Sequence, residues 1–364
     1  MGESCRWEIH RWGRVAGERA TDGAESRAGR VGYHTVVMDS RAIGIFDSGF
    51  GGLTVARAIH EHLPAESLVF LGDTARCPYG PRGLDEVRGF VRQICTWLSE
   101  RDVKLIVIAC NTASAAGLEL AQTEFSVPAM GVVEPGARGA VRATRNRRVG
   151  VIATRGTVES GAYSSAIRSL DAGATVFSVA APRFVEIVEE GLRRSDGPIE
   201  RLTADASDVY LRPAFRAIAR DYLDPVRREG VDTLVLGCTH YPVLAPLIAQ
   251  VVGDGVTIVS SSEETAREVA ATLRARGQLA GDGAGDDGDG AAARDDGAAA
   301  RDAGAGDGAA ARDGDGAPSM SFYTTGDDVS EFASIGSRIF GADLGDVGHI
   351  DISELERGGC PHDD

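Results

Sequence analysis

The chain has 364 residues, 43% of them apolar, which is long enough for two domains with sizeable cores. Its 38 Lys and Arg face 54 Asp and Glu, a formal charge of −16 that argues against a nucleic-acid partner, because little would replace the counterions of a phosphate backbone. No apolar run reaches the roughly 18 residues of a membrane span, so no membrane partner is expected.

Six cysteines are scattered along the chain without a secretory signal pattern, which reads as free thiols of a cytoplasmic protein. There is no CxxC and no HExxH, so no metal is expected. Lys104 is the only lysine, and it stands at the entrance of an apolar run rather than at its exit. A pyridoxal Schiff base needs a lysine in the site, so a covalent lysine-bound cofactor is disfavoured and none is expected.

Taken in order, residues 1–37 are rich in Arg, Gly, Ala and Glu without sustained periodicity and read as a disordered extension. An apolar strand at Ile43–Phe46 then runs into Asp47-Ser-Gly-Phe-Gly-Gly52 and a helix over about 53–62. Strand Leu68–Leu71 leads to the Pro- and Gly-containing loop Gly72-Asp-Thr-Ala-Arg-Cys-Pro-Tyr-Gly80, followed by a helix over about 84–100. Next comes Leu105-Ile-Val-Ile-Ala-Cys110-Asn-Thr, echoed much later by Leu234-Val-Leu-Gly-Cys238-Thr-His.

Further strands are expected at Ala129–Val133, Val149–Ile152, Val176–Val179, Thr233–Leu236 and Thr257–Val259. Helices are expected at Val158–Leu170, Phe184–Leu192 and Ser207–Arg228. Short strands alternating with longer helices predict an α/β fold of two doubly wound lobes with mainly parallel sheets. Residues 281–320 hold ten Asp and three Arg, and 279–318 read as a disordered acidic insert, since they bury too little apolar surface to offset ordering entropy. Folded texture resumes with a strand near Tyr323 and a helix over about 329–340.

In open α/β sheets ligands sit at the carboxyl ends of the strands. Cys110 and Cys238 both fall there, each followed by polar residues that are costly to bury unless they bind something. A helix N-terminus just after each cysteine is expected to lower its thiol pKa toward neutrality, suiting a pair of thiols to proton abstraction and return. A Cys-His hydrolase with His240 as base is the rival reading, but it leaves one cysteine without a part. The glycines after Asp47 and Ser48 suit either positive φ or close backbone approach, beside a helix N-terminus that favours an anion. As isolated residues, Thr154 and Thr157 need be no more than helix caps, and Glu189 no more than a solvated carboxylate.

Together these motifs resemble the glutamate racemases of the cofactor-independent aspartate/glutamate racemase superfamily. The matching pieces include Ile45–Thr54, Gly72–Arg82, Ala109-Cys-Asn-Thr-Ala113, Glu134-Pro-Gly-Ala137, Leu236–Pro242, Ser261–Arg267 and Tyr323-Thr-Thr-Gly326. The resemblance implies that Cys110 and Cys238 flank the substrate Cα, one thiolate removing the α-proton and the other thiol returning one. It assigns Asp47, Ser48, Tyr79, Gly80, Asn111, Thr112, Thr154, Thr157, Thr239 and His240 to substrate binding. It also assigns Asp47, Asp73, Glu189 and His240 to acid/base or thiol-tuning parts. The lobes are then expected at 38–133 plus 262–360 and at 134–261, with the active site between them and a homodimer as the assembly. Glutamate is the implied substrate and peptidoglycan the use of its D-form. An aspartate racemase and a non-catalytic amino-acid-binding protein on the same scaffold are the alternatives.

Overall fold

Strands that are apolar on both faces must be covered by helices on both sides, which favours parallel pairing through helical crossovers. The computed structural model describes residues 39–194, 213–281 and 317–358 and has this arrangement. In chain order the first half comprises β1 (Ile43–Asp47), α1 (Leu53–His62), β2 (Leu68–Gly72), α2 (Leu84–Ser99), β3 (Leu105–Ile108), α3 (Asn111–Glu124) and β4 (Ala129–Gly131). Then follow α4 (Val133–Ala143), β5 (Arg148–Ala153), α5 (Arg155–Glu159), α6 (Ala162–Leu170), β6 (Thr175–Ala180) and α7 (Arg183–Arg194). After a break come α8 (Pro213–Arg228), β7 (Thr233–Gly237), α9 (Ala245–Val252), β8 (Thr257–Ser260) and α10 (Ser261–Arg276). The described chain closes with β9 (Met320–Thr324), α11 (Val329–Phe340), β10 (Val347–His349) and α12 (Ile352–Gly358).

Two sheets result. One has six strands in the order β10-β9-β2-β1-β3-β4, the other four in the order β6-β5-β7-β8. Among the described residues every strand pairing is parallel. The C-terminal strands therefore return to the first sheet, where β9 pairs with β2. Helix α10 packs on both α1 and α4, and one apolar cluster runs from Ile43 and Phe70 of the first sheet to Leu234 and Leu247 around the second. Among the described residues, no helix is long and apolar enough to cross a membrane.

Several sequence expectations need correction. The apolar run Ala129–Val133 stops being strand at Gly131, because Val133 already starts α4. The helix expected over Val158–Leu170 is two helices, broken at Gly161, which adopts φ +66°. Apolar periodicity carried across that break because both pieces face the same core. Of the helix expected at Ser207–Arg228, only Pro213 onward is described. Segment 1–37 and residues 282–316 of the expected insert lie outside the described residues. At the insert's margin, Leu279 packs on the core and Ala280 is buried, so the fold extends past the start of the low-complexity reading.

Lys104 sits at the amino edge of the first sheet, opposite the cysteines. Its ammonium is fully buried and ion-paired with Glu66, and it donates to the carbonyls of Asp39 at 2.7 Å and Gln278 at 2.8 Å. Removing one partner of such a pair strands the other charge without compensation. Lys104→Met is therefore expected to lower unfolding stability in urea by about 3–5 kcal/mol, with partial recovery when Glu66→Leu is added. A single variant within experimental error of wild type would contradict this account of the edge.

Candidate active site

The site is built on strand ends. Asp47 closes β1 and is wholly buried, its Oδ2 accepting the Gly49 N–H at 3.0 Å. Thr239 Oγ1, from the loop after β7, reaches its Oδ1 at 3.4 Å. Burial pushes the Asp47 carboxyl up, while the His240 charge, the Gly49 and Gly52 N–H groups and Thr239 work in the other direction. The glycines here serve close approach rather than positive φ. A Cβ on Gly52 would stand 2.3 Å from Asp47 Cβ, and one on Gly51 2.3 Å from Thr239 Oγ1 and 2.5 Å from His240 Nδ1. The Asp47–Gly52 turn is thus pressed directly against the loop that carries the second cysteine.

Cys110 follows β3 and is the N-cap of α3, its sulfur accepting the Ala113 N–H at 3.5 Å and facing Ser48 Oγ at 3.7 Å. The expected lowering of this thiol is not found. Burial and the nearby Asp47 charge push it up to about 12, outweighing the Ala113 N–H and Ser48. A single helix terminus cannot offset complete removal from water.

Cys238 lies just past β7 and is buried, but no α-helix starts after it; a short 3₁₀ turn at Tyr241–Leu244 intervenes. Its sulfur is 3.8 Å from His240 Nδ1. On the other side of the ring, His240 Nε2 stands 3.4 Å from Glu189 Oε1, and Glu189 is in turn 3.7 Å from Arg193. Burial alone would pull His240 down, but Cys238 and Glu189 on its two nitrogens outweigh it and raise it to about 10. Glu189 is held below the ordinary carboxylate range by His240 and Arg193 despite burial. As an isolated residue Glu189 read as a solvated surface carboxylate; α7 instead turns it inward onto the imidazolium.

Asp73, just past β2, is buried with three donors converging on it: Arg76 Nε at 2.6 Å, Thr325 Oγ1 at 2.8 Å and the Tyr79 hydroxyl. Its geometry holds the Tyr79-Gly80 loop in place. That loop docks on the start of α5, where Gly156 N–H donates to the Gly80 carbonyl at 2.9 Å. Thr112, Thr154 and Thr157 form a closed hydroxyl triangle with sides of 2.9, 3.0 and 3.3 Å. Thr154 is also the N-cap of α5.

The named residues are linked by these contacts, Asp73 through its carboxylate on the Tyr79 hydroxyl and through its own N–H, which donates to the Asp47 carbonyl at 2.9 Å. Sequence reasoning missed Tyr163, whose hydroxyl donates to Asn111 Oδ1 at 2.7 Å, and Thr54, which bonds the Thr239 carbonyl at 3.2 Å and Ser262 at 3.0 Å. It also passed over Arg76 and Thr325. Only the apolar periodicity of α6 marked Tyr163, and that signal reads as core.

Because His240 titrates near 10 in the fold against an ordinary 6.5, the stability it brings is complete below pH 6.5 and is lost as pH rises toward 10. The gap in urea midpoint between wild type and His240→Asn is expected to shrink across that window. A gap that widens with pH would contradict a protonated His240 held by Glu189.

A family model described as Asp/Glu/Hydantoin racemase matches residues 43–269. The chain is 46% identical over 234 residues to a glutamate racemase of Bacillus cereus, covering 64% of this chain and 81% of that protein. Its fold is similar to the crystal structure of a glutamate racemase isoform from Bacillus anthracis, with TM-score 0.68, 36% identity and coverage of 86% of this chain and 98% of the other. A glutamate racemase from Francisella tularensis in complex with D-glutamate gives TM-score 0.66 at 25% identity, over 86% of this chain and 99% of that one. With a family model matched over residues 43–269 and a fold shared with glutamate racemases at 36% identity, the chain belongs to the Asp/Glu/Hydantoin racemase family and is an amino-acid racemase.

Proposed function

We propose that this enzyme interconverts L- and D-glutamate without a cofactor, using Cys110 and Cys238 as its two bases. The observation that carries the reading is the Asp47–Gly52 turn, which touches both cysteine loops at once: Ser48 faces the Cys110 sulfur, while Asp47 and Gly51 contact Thr239 and His240. A substrate α-carbon held over that turn has one thiol on either side. One thiolate takes the α-proton and the opposite thiol donates its own, so the centre inverts and the thiols exchange protonation states. Following the resemblance, Cys110 serves D-glutamate and Cys238 serves L-glutamate.

An amino acid lacks an internal electron sink, so the developing carbanion must be met by preorganised donors in a site that excludes water. The protonated His240 is such a donor, and the buried hydroxyls of Ser48 and Thr239 lie at the same turn, with the Thr112–Thr154–Thr157 triangle beyond Cys110. Asp47, Ser48, Tyr79, Gly80, Asn111, Thr112, Thr154, Thr239 and His240 would engage the ammonium and the carboxylates. Thr157 contributes through the hydroxyl triangle, Glu189 by holding His240 charged, and Asp73 by holding Tyr79. A bound ammonium beside Asp47 would offset the charge that disfavours the Cys110 thiolate.

The lobes are read as 38–133 plus 262–360 and 134–261, with substrate bound between them. Following the resemblance, the enzyme is read as a cytoplasmic homodimer that supplies D-glutamate to peptidoglycan. Substrate length separates the glutamate reading from aspartate racemase, so the two amino acids are to be assayed side by side in D₂O. Deuterium is expected at the α-position of glutamate during turnover, with aspartate slower. Cys110→Ala and Cys238→Ala are each expected to lower racemisation by roughly 10²–10⁴-fold in both directions. Full activity of either variant, or binding of glutamate without α-proton exchange, would sink the proposal.

A further inference from the structure

Tyr163, on α6, occupies a slot that glycine leaves open on two sides. A Cβ on Gly237, the residue before Cys238, would lie 2.9 Å from the Tyr163 ring, and one on Gly136 would lie 3.1 Å from both ring and hydroxyl. The ring is thus set against the strand end that delivers the second cysteine. Its hydroxyl reaches the other side of the site, donating at 2.7 Å to Oδ1 of Asn111, the residue after Cys110. Tyr163 and Asn111 are both almost wholly buried. Burial and the Cys238 charge push the phenol up against a weaker effect of Ser261, so it keeps its proton and remains a donor.

The second observation is on Asn111 itself. Its Nδ2 is buried and makes no hydrogen bond within the described residues. A buried amide donor left unmade is costly, and such groups are the ones a ligand satisfies. An asparagine amide presents oxygen on one side and NH₂ on the other, and which side faces a site depends on what binds the oxygen.

We propose that Tyr163 is a positioning residue: by occupying Asn111 Oδ1 it turns the Asn111 NH₂ group toward the substrate as a donor to one carboxylate. The inference rests on the reading of this site as the amino-acid site. Without the hydroxyl the amide is free to rotate, and its oxygen would then meet the carboxylate with like partial charge. The bond also ties the residue beside Cys110 to a ring packed against the residue before Cys238. Asn111 is therefore oriented only when the two cysteine loops are correctly apposed.

Tyr163→Phe keeps the ring in its slot and removes only the oxygen. Its KM for both enantiomers is expected to rise about tenfold, the scale of one lost buried hydrogen bond, with kcat within about threefold of wild type. Asn111→Ala is expected to raise KM at least as much, and adding Tyr163→Phe to it should change KM no further. A structural role alone would instead lower thermal stability and active fraction while leaving KM alone. The inference is overturned if Tyr163→Phe has wild-type KM, or if the two substitutions multiply in the double variant. A wild-type enzyme that does not turn over glutamate overturns the reading of the site itself, a result separable from either.

Discussion

The burial of Asp47 is the constraint on which the rest of the site depends. A carboxylate taken wholly out of water is stable only where donors and a counter-charge are already in place. Gly49 and Gly52 supply backbone N–H groups from its own turn, and Thr239 and the His240 charge come from the loop after β7 in the other sheet. The carboxylate therefore makes sense only when the carboxyl edges of both sheets meet. Glycine at 51 and 52 is the steric condition for that meeting, since a single added carbon at either position would collide with the opposing loop or with Asp47.

The two thiols reached by this turn are not electrostatic equivalents. Cys110 faces a hydroxyl and a helix N–H, with the Asp47 charge against it, whereas Cys238 faces a histidine whose raised pKa it shares with Glu189, a carboxylate that Arg193 helps keep ionised. In the proposed two-base reaction, which runs in both directions through two unlike thiols, the substrate's ammonium beside Asp47 and a carboxylate near His240 would bring charges of the right signs to level them.

Function and anchoring sit at opposite edges of the first sheet. The carboxyl edge holds Asp47, Asp73 and Cys110, while the amino edge holds the Lys104–Glu66 ion pair. Glu66 and Ser67 also clasp the two stems that flank residues 282–316: Ala280 N–H donates to Glu66 at 2.9 Å, and Ser319 N–H to Ser67 at 3.0 Å. Both contacts stand at the edge of the sheet away from Cys110.

Much of this was legible in residue order, because buried parallel strands are continuous apolar runs and their carboxyl ends carry the chemistry. Leu105–Ile108 before Cys110 and Thr233–Gly237 before Cys238 announced both strand ends. What residue order could not carry was anything set by packing across the two sheets. Glu189 read as solvated until α7 turned it onto His240, and Tyr163 read as core until its hydroxyl met Asn111. The helix over 158–170 read as continuous until Gly161 broke it. Local sequence specifies which elements form and where reactive side chains emerge. Which charge is buried, and which thiol it raises, is decided by distances between residues far apart in the chain, and these exist only once the two sheets have met.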